Sequence, residues 1–285
     1  MLSVTDSATV SATQLRDLWF HTGTACNLEC PFCLEGSKPG DTRLDRILLN
    51  EIKPIIDEAV RLGVERFCFT GGEPLIVKDI VKILNYALQF KPCLLLTNGT
   101  APLIKRAHQL QTLKQQPYPL SFRVSIDHPD ESEHDAERGW GNCKRAIEGL
   151  KLLHQAGFDI SIARHSKPDE NESVEIARYR VLLAKHDLPT DLVIAPLPEL
   201  GRPSADSSIQ PPTAEELANG LHRPMCAMSR MILKREGQLR VYACALTDDD
   251  TRFDLGPSVT ASLTTPIPLT HHRCGQCVRR GVKLG

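Results

Sequence analysis

No stretch of this sequence is apolar for long enough to cross a bilayer. The longest runs, such as Cys93-Leu-Leu-Leu96, fall far below the ~20 residues that a spanning helix needs. A large excess of charge is missing too. Lys and Arg total 34 against 35 for Asp and Glu, a formal net charge of −1. That balance argues against a protein that works by coating nucleic acid or an anionic membrane, although a local basic patch is compatible with it. The opening residues, Met1-Leu-Ser-Val-Thr-Asp6, lack a basic n-region and an apolar h-region, so no secretory signal is expected. The sequence holds no tandem repeat and no low-complexity tract. A hydrophobic fraction of 41% and a charged fraction of 24% over 285 residues fit an ordinary globular protein, one large domain with room for a small appendage.

Cysteine, by contrast, is plentiful. Ten in a chain with no expected secretory signal suggest a reducing, cytoplasmic compartment, where disulfides seldom persist. Seven are grouped, as Cys26, Cys30 and Cys33 and then as Cys226, Cys244, Cys274 and Cys277. Grouped thiols in such a chain read as metal or cluster ligands. Cys68 and Cys93 lie in apolar strands and Cys143 opens a helix, so these three read as packing residues.

From about residue 15 to 196 short apolar runs alternate with stretches of helical period. Strands are expected at 17–22, 66–70, 93–97, 121–126, 158–164 and 191–195, with helices at 44–62, 78–90, 103–113, 143–155 and 172–186. In the fourth helix Ala146, Ile147, Leu150, Leu153 and His154 share a face, and Gly157 supplies the stop. Pro54 should kink or divide the first helix. Six β-α repeats imply a parallel sheet with helices outside, as an open barrel or an open doubly wound sheet. Either places the site at the C-terminal ends of the strands. Residues 196–212 are rich in Pro and Ser and read as a linker or lid. Beyond them, 231–234 and 239–243 flank Glu236-Gly237-Gln238 as a β-hairpin, in a tail small enough to benefit from a metal staple.

The first cysteine group has the spacing C-x3-C-x2-C, which is also one face of an α-helix. Pro31 opposes a helix, because it lacks an N–H and would clash with the carbonyl of Asn27. Zinc is the other reading of C-x2-C, but no fourth ligand sits at a usual zinc-ribbon distance. Three thiolates on a tight loop can hold three irons of a [4Fe–4S] cube and leave the fourth iron open. With Phe32 as the aromatic before the last cysteine, the stretch resembles the signature of the radical S-adenosylmethionine (radical SAM) superfamily.

Further motifs extend the resemblance over residues 17–200. They are Thr70-Gly71-Gly72-Glu73-Pro74, Thr97-Asn98-Gly99, Ser125-Ile-Asp127 and His134-Asp-Ala-Glu-Arg138-Gly139. The resemblance implies an α/β fold, a partial (β/α)6 TIM-like barrel, and S-adenosyl-L-methionine and a [4Fe–4S] cluster as cofactors. It also implies roles. The loop of Gly71, Gly72 and Glu73 would receive the methionine ammonium, with Asn98 ending the next strand. Ser125 and Asp127 would face the ribose, and Arg138 would reach the carboxylate.

Cys226, Cys244, Cys274 and Cys277 follow C-x17-C-x29-C-x2-C. Four thiolates fully ligate either a [4Fe–4S] cluster or a tetrahedral zinc ion, and spacing does not separate the two. The arrangement is similar to the twitch domain, a shortened SPASM tail, which implies an auxiliary [4Fe–4S] cluster. The chain ends soon after Cys277, so the second auxiliary cluster of a full SPASM tail is not expected. The expected organisation is an N-terminal tail at 1–14, a barrel at 15–200, a linker at 201–215 and a twitch-like domain at 216–285.

In this superfamily a cluster-bound SAM is cleaved to a 5′-deoxyadenosyl radical that takes hydrogen from a C–H bond. A fully ligated second cluster suits electron transfer, so the resemblance implies net oxidation of a small molecule, such as the dehydrogenation of an alcohol. Modification of a peptide or protein side chain is the alternative; the first strand begins near residue 17, leaving no room for an N-terminal peptide-recognition domain. A non-catalytic zinc or iron–sulfur protein explains the cysteines and leaves the other motifs without a reason. The expected partners are the substrate and an electron donor such as flavodoxin or ferredoxin, with no membrane and no nucleic acid. Arg164 and His165 close the fifth strand and Glu199 and Arg202 follow the sixth, where all four could face the cavity. No catalytic acid or base is assigned.

Overall fold

The computed structural model describes residues 8–167, 170–198, 200, 210–219 and 222–282. A two-residue strand β1 (Thr9–Val10) opens it, followed by β2 (Asp17–His21), β3 (Arg66–Thr70), β4 (Cys93–Thr97), β5 (Leu120–Ser125), β6 (Asp159–Ser166) and β7 (Val193–Pro198). Between these run α1 (Leu49–Arg61), α2 (Ile80–Ala87), α3 (Ala101–Gln111), α4 (Glu131–Arg138), α5 (Asn142–Gln155) and α6 (Glu172–Lys185). Strands β2 to β7 are parallel and stand in chain order. A doubly wound sheet would reverse direction at a switch point; this one does not, so it is the open, partial barrel.

Strands β2, β3 and β4 are buried on both faces and read as near-continuous apolar runs, whereas β5 alternates buried and half-buried positions. Leu18 and Phe20 of β2 point to the helices, where Phe20 stacks on Phe69 at 5.2 Å. Trp19 points the other way, into a second core that contains Cys226, Cys244, Cys274 and Cys277. Cys68, Cys93 and Cys143 are buried, as packing residues should be.

Two helix expectations need correction. Pro54 does not divide α1, which runs unbroken from Leu49 to Arg61. Pro54 deprives only the Asn50 carbonyl of its partner, and Asn50 is exposed in the first turn, where water can serve it. Nor is the stretch from Leu44 helical. Asp45 N–H donates to the Lys234 carbonyl at 2.8 Å, so this segment is held extended against the tail, a tertiary contact that overrides local period.

The tail contributes α7 (Ala214–Asn219), the hairpin β8 (Ser229–Arg235) and β9 (Gln238–Tyr242), α8 (Val259–Thr264), β10 (Ile267–Pro268) and α9 (His272–Arg280). Its turn is the two residues Glu236 and Gly237, both at positive φ (51° and 77°), the geometry that matches the twist of paired strands. Strand β8 joins the free edge of β2 in parallel, so the hairpin prolongs the barrel sheet to eight strands. Strand β10 pairs with β1. Of the linker and lid region at 196–212, residues 199 and 201–209 lie outside the described residues. Among the described residues no helix is long and apolar enough to cross a membrane.

Candidate functional site

At the carboxyl end of β2 the chain enters a long loop that carries the first three cysteines. Thr22 N–H still donates to the Thr70 carbonyl at 2.8 Å, and Ala25 then bridges to Lys38, with Cys26 N–H donating to the Lys38 carbonyl at 3.2 Å. Cys30 and Cys33 bracket a turn closed by Cys33 N–H to Cys30 O at 3.1 Å. Pro31 occupies the first central position, where its fixed φ is an asset. The loop is braced by buried Asp41, which accepts from Thr24 Oγ1 at 3.0 Å and pairs with Arg43 at 2.6 Å. The cysteines therefore sit on a loop, as Pro31 required.

The Gly71-Gly72-Glu73 loop is fastened to this one. Gly72 N–H donates to the Gly23 carbonyl at 2.9 Å and Glu73 N–H to the Ala25 carbonyl at 3.0 Å. A Cβ on Gly72 would stand 2.2 Å from the Ala25 oxygen, so only glycine permits this approach. The Glu73 carboxylate is buried and accepts from Leu75 N–H (3.0 Å), Thr97 Oγ1 (2.9 Å) and Asn98 N–H (2.8 Å). Burial nonetheless pushes its pKa up to about 7. Asn98 reaches the cysteine loop, donating to Asn27 Oδ1 at 3.0 Å with Cys26 Sγ 3.9 Å away.

Across the mouth, Asp127 and Arg138 form a buried ion pair. Burial raises the cost of the Asp127 charge, yet Arg138 and then His165 hold its pKa below the ordinary carboxylate range. The Arg138 guanidinium lies 5.4 Å from the Phe32 ring centre, and His165 meets that ring edge-on at 4.0 Å. Ser125 ends β5 in register with Ala163. A cavity of about 210 Å³ opens here, lined by Asp127, Glu133, Glu137, His165, Lys167 and Arg178 among others. Of the late-strand candidates, His165 faces this cavity. Arg164 is buried, paired with Glu170 at 2.6 Å, and Glu199 and Arg202 lie outside the described residues.

Neither cysteine group forms disulfides. Burial pushes the Cys26 thiol up to about 12, with Glu73, Cys30 and Cys33 adding to the shift, and burial raises Cys30 as well. The tail thiols behave alike: burial drives Cys226 well above its ordinary value and Cys244 to about 12, and the neighbouring thiols add to both. Burial raises the lone Cys68 and Cys93 too, so it is the grouping of thiols that suits these two sets to a metal or cluster, whose cation would hold them as thiolates. Backbone N–H groups already point at the sulfurs, Leu28 to Cys26 at 3.4 Å, Leu246 to Cys244 and Met225 to Cys277 at 3.5 Å. Both donor sets thus fit a thiolate-bound cluster.

Sequence reasoning missed a buried network between the two groups. His21, Glu35 and Asp248 bring ligand atoms within 4.8 Å of one another, and His21 Nε2 is 3.1 Å from Glu35. Gly23 N–H donates to His21 Nδ1 at 3.2 Å, so the neutral ring carries its proton on Nε2 and donates it to Glu35. Burial raises the pKa of both Glu35 and Asp248, and the Glu35 carboxyl adds to the cost of ionising Asp248. The available signal was charge beside cysteine: Glu35 follows Cys33 by two positions, and Arg273 precedes Cys274.

A family model described as the Radical SAM superfamily matches residues 20–179. The GTP 3′,8-cyclase of Nitrobacter winogradskyi is 24% identical over 265 residues, 89% of this chain and 70% of that protein. The AdoMet-dependent heme synthase of Nitratidesulfovibrio vulgaris is 30% identical over 144 residues, 48% of this chain and 37% of the other. The mycofactocin maturase MftC of Mycolicibacterium smegmatis is 31% identical over 140 residues, 47% of this chain and 33% of the other. The chain thus spans well under half the length of the latter two relatives. Among solved structures, anSMEcpe with bound AdoMet superposes with a TM-score of 0.66 at 14% identity, covering 88% of this chain and 78% of that one. SuiB of Streptococcus suis bound to S-adenosylmethionine gives 0.61 at 14% identity, covering 85% and 63%. These structural likenesses are of fold.

Proposed function

The chain belongs to the radical SAM superfamily, whose members use a [4Fe–4S] cluster and SAM, and on that premise we propose that it oxidises a small, polar molecule at an unreactive C–H bond. When bound, the cluster and SAM supply a 5′-deoxyadenosyl radical. Cys26, Cys30 and Cys33 would hold the cluster by three corners. Gly71, Gly72 and Glu73 would bind the methionine ammonium, Glu73 offering a buried carboxylate beside Cys26. Asn98 secures the acid loop to the cysteine loop. Ser125, Asp127 and Arg138 would bind the polar remainder of SAM, with the Phe32 ring beneath Arg138. The cavity wall of His165, Lys167 and Glu137 would orient the substrate and keep bulk water away.

The observation that carries an oxidation is the second, closed thiol site. Cys226, Cys244, Cys274 and Cys277 would hold a group able to take the electron left on the substrate, so the residues from about 216 onward serve as the auxiliary domain. Four thiols would fully ligate either a cluster or a tetrahedral zinc ion, and the likeness of their spacing to a twitch tail favours the cluster.

The test is anaerobic reconstitution followed by iron analysis and assay of 5′-deoxyadenosine under reducing conditions. About eight Fe per chain and nucleoside release are expected, and the Cys26→Ala/Cys30→Ala/Cys33→Ala variant should release none. Wild-type release from that variant would sink the assignment. Zinc in place of iron at the tail would sink the oxidation.

A further inference from the structure

One side chain hydrogen-bonds the backbone next to both thiol groups. Arg273 sits at the start of α9, fully buried, immediately before Cys274. Its Nη2 donates to the Leu34 carbonyl at 3.0 Å, the residue after Cys33. Its Nη1 donates to the Leu246 carbonyl at 3.2 Å, two residues beyond Cys244, and lies 3.4 Å from Asp249 and 4.0 Å from Asp248. Asp248 lies within 4.8 Å of Glu35, and Asp249 is held by His271 at 3.1 Å. Planar guanidinium donors spread over two loops fix those loops in one register. The barrel loop and the tail loop are otherwise separated by some two hundred positions of sequence (about 210, from Leu34 to Leu246).

We propose that Arg273 is a positioning residue that couples the two cysteine sites, holding their loops together through the Leu34 and Leu246 carbonyls and setting a buried charge, paired with Asp249, between those loops. A fixed cation stabilises the reduced, more negative form of any cluster near it. In low-dielectric surroundings that influence reaches both sites instead of being screened by solvent. Through Arg273 the bonded path from Cys33 to Cys274 needs a single hydrogen-bond step, by way of the Leu34 carbonyl. The proposal rests on the two-cluster reading of the thiol groups.

The test uses the reconstituted full chain and reads each cluster's midpoint potential by redox titration with electron paramagnetic resonance, beside iron content and a thermal melt. In Arg273→Gln both potentials should move to more negative values together, and Arg273→Lys, which keeps the charge, should return both toward wild type. Should the glutamine variant fail to hold iron, Asp249→Asn provides the opposite change. It removes a negative charge paired with Arg273 and should move both potentials to less negative values. A shift confined to the tail cluster, or none in either, overturns the coupling. Iron in the wild-type protein keeps the two readings apart. One cube per chain sinks the two-cluster reading and the proposal with it. Two cubes with a barrel potential indifferent to Arg273 and Asp249 sink the coupling alone.

Discussion

The Glu73 N–H donates to the Ala25 carbonyl at 3.0 Å, so the loop offering a carboxylate is hydrogen-bonded to the residue immediately before Cys26. On the proposed reading, cofactor geometry depends on a backbone contact between two strand-end loops, and Gly72 is where that contact is tightest.

Replacing Gly72 with Ala should therefore impair the site more than the fold. The new Cβ would lie 2.2 Å from the Ala25 oxygen, a backbone atom that cannot swing aside. Overpacking of this kind costs about 1–3 kcal/mol. Release of 5′-deoxyadenosine should fall by about tenfold or more, equivalent to ~1.4 kcal/mol or more of barrier, with the melting temperature lowered by only a few degrees. Unchanged nucleoside release would show that the two loops need not touch.

Glu73 gives the site a pH dependence. With its pKa pushed from the ordinary 4.5 to about 7 by burial, it is half protonated near neutrality. A neutral acid loses its attraction for the methionine ammonium, so SAM affinity should rise as pH increases through about 7 and fall below it, by up to about tenfold per unit. Folding responds with the opposite sign in the SAM-free protein. A raised folded-state pKa contributes stability at pH below 4.5, and this is lost as pH rises to about 7. Equilibrium binding between pH 5.5 and 8.5, with Glu73→Ala for comparison, reads the first effect. A flat profile would remove Glu73 from the site.

Arg164 separates structure from chemistry. Its side chain is 2% exposed and bonds Glu170 at 2.6 Å and the His165 carbonyl at 3.1 Å. Breaking such a pair costs about 3–5 kcal/mol, nearer the lower figure here because Glu170 retains some exposure. Arg164→Met should lower the melting temperature by about 6–12 °C and leave SAM affinity unchanged. A lost SAM affinity with an unchanged melt would place Arg164 in the site instead.

The barrel was legible because β3 and β4 are almost wholly apolar, β5 alternates apolar and polar residues, and amphipathic helices lie between the strands. β3 and β4 fall at 66–70 and 93–97 as read, and the others differ by one to three residues at their ends. Cys30-Pro31-Phe32-Cys33 was legible as a loop because proline chemistry is local. What stayed hidden depends on partners far apart in sequence. Period alone could not reveal that 44–48 is held extended by Lys234, or that β8 continues the sheet beside β2. The pairing of Arg138 with Asp127, only eleven positions away, stayed hidden for another reason, since each alone reads as a polar residue at a strand or helix end. The His21–Glu35–Asp248–Arg273 network was hidden for a further reason. Charged residues in loops are usually solvated, and nothing local marks these as buried.

The tail offers the sharpest test of the oxidation. Cys244 follows β9 and Cys277 lies on α9, so replacing both with Ala removes ligands from the hairpin side and the helix side together. The first three cysteines keep their own supports from Asp41, Lys38 and Ala25. Iron should fall by about half, from two cubes to one, while reductive release of 5′-deoxyadenosine continues. Oxidised product should disappear, because the electron left on the substrate has no acceptor. A purely structural role makes a different forecast. The tail core contains all four cysteines, so losing their shared ligand would loosen it and lower the melting temperature with nucleoside release failing in step. Melt and assay must be read together. A variant that melts like wild type, keeps all its iron and still forms product would show that these sulfurs ligate nothing, and the oxidation reading would lose the observation on which it stands.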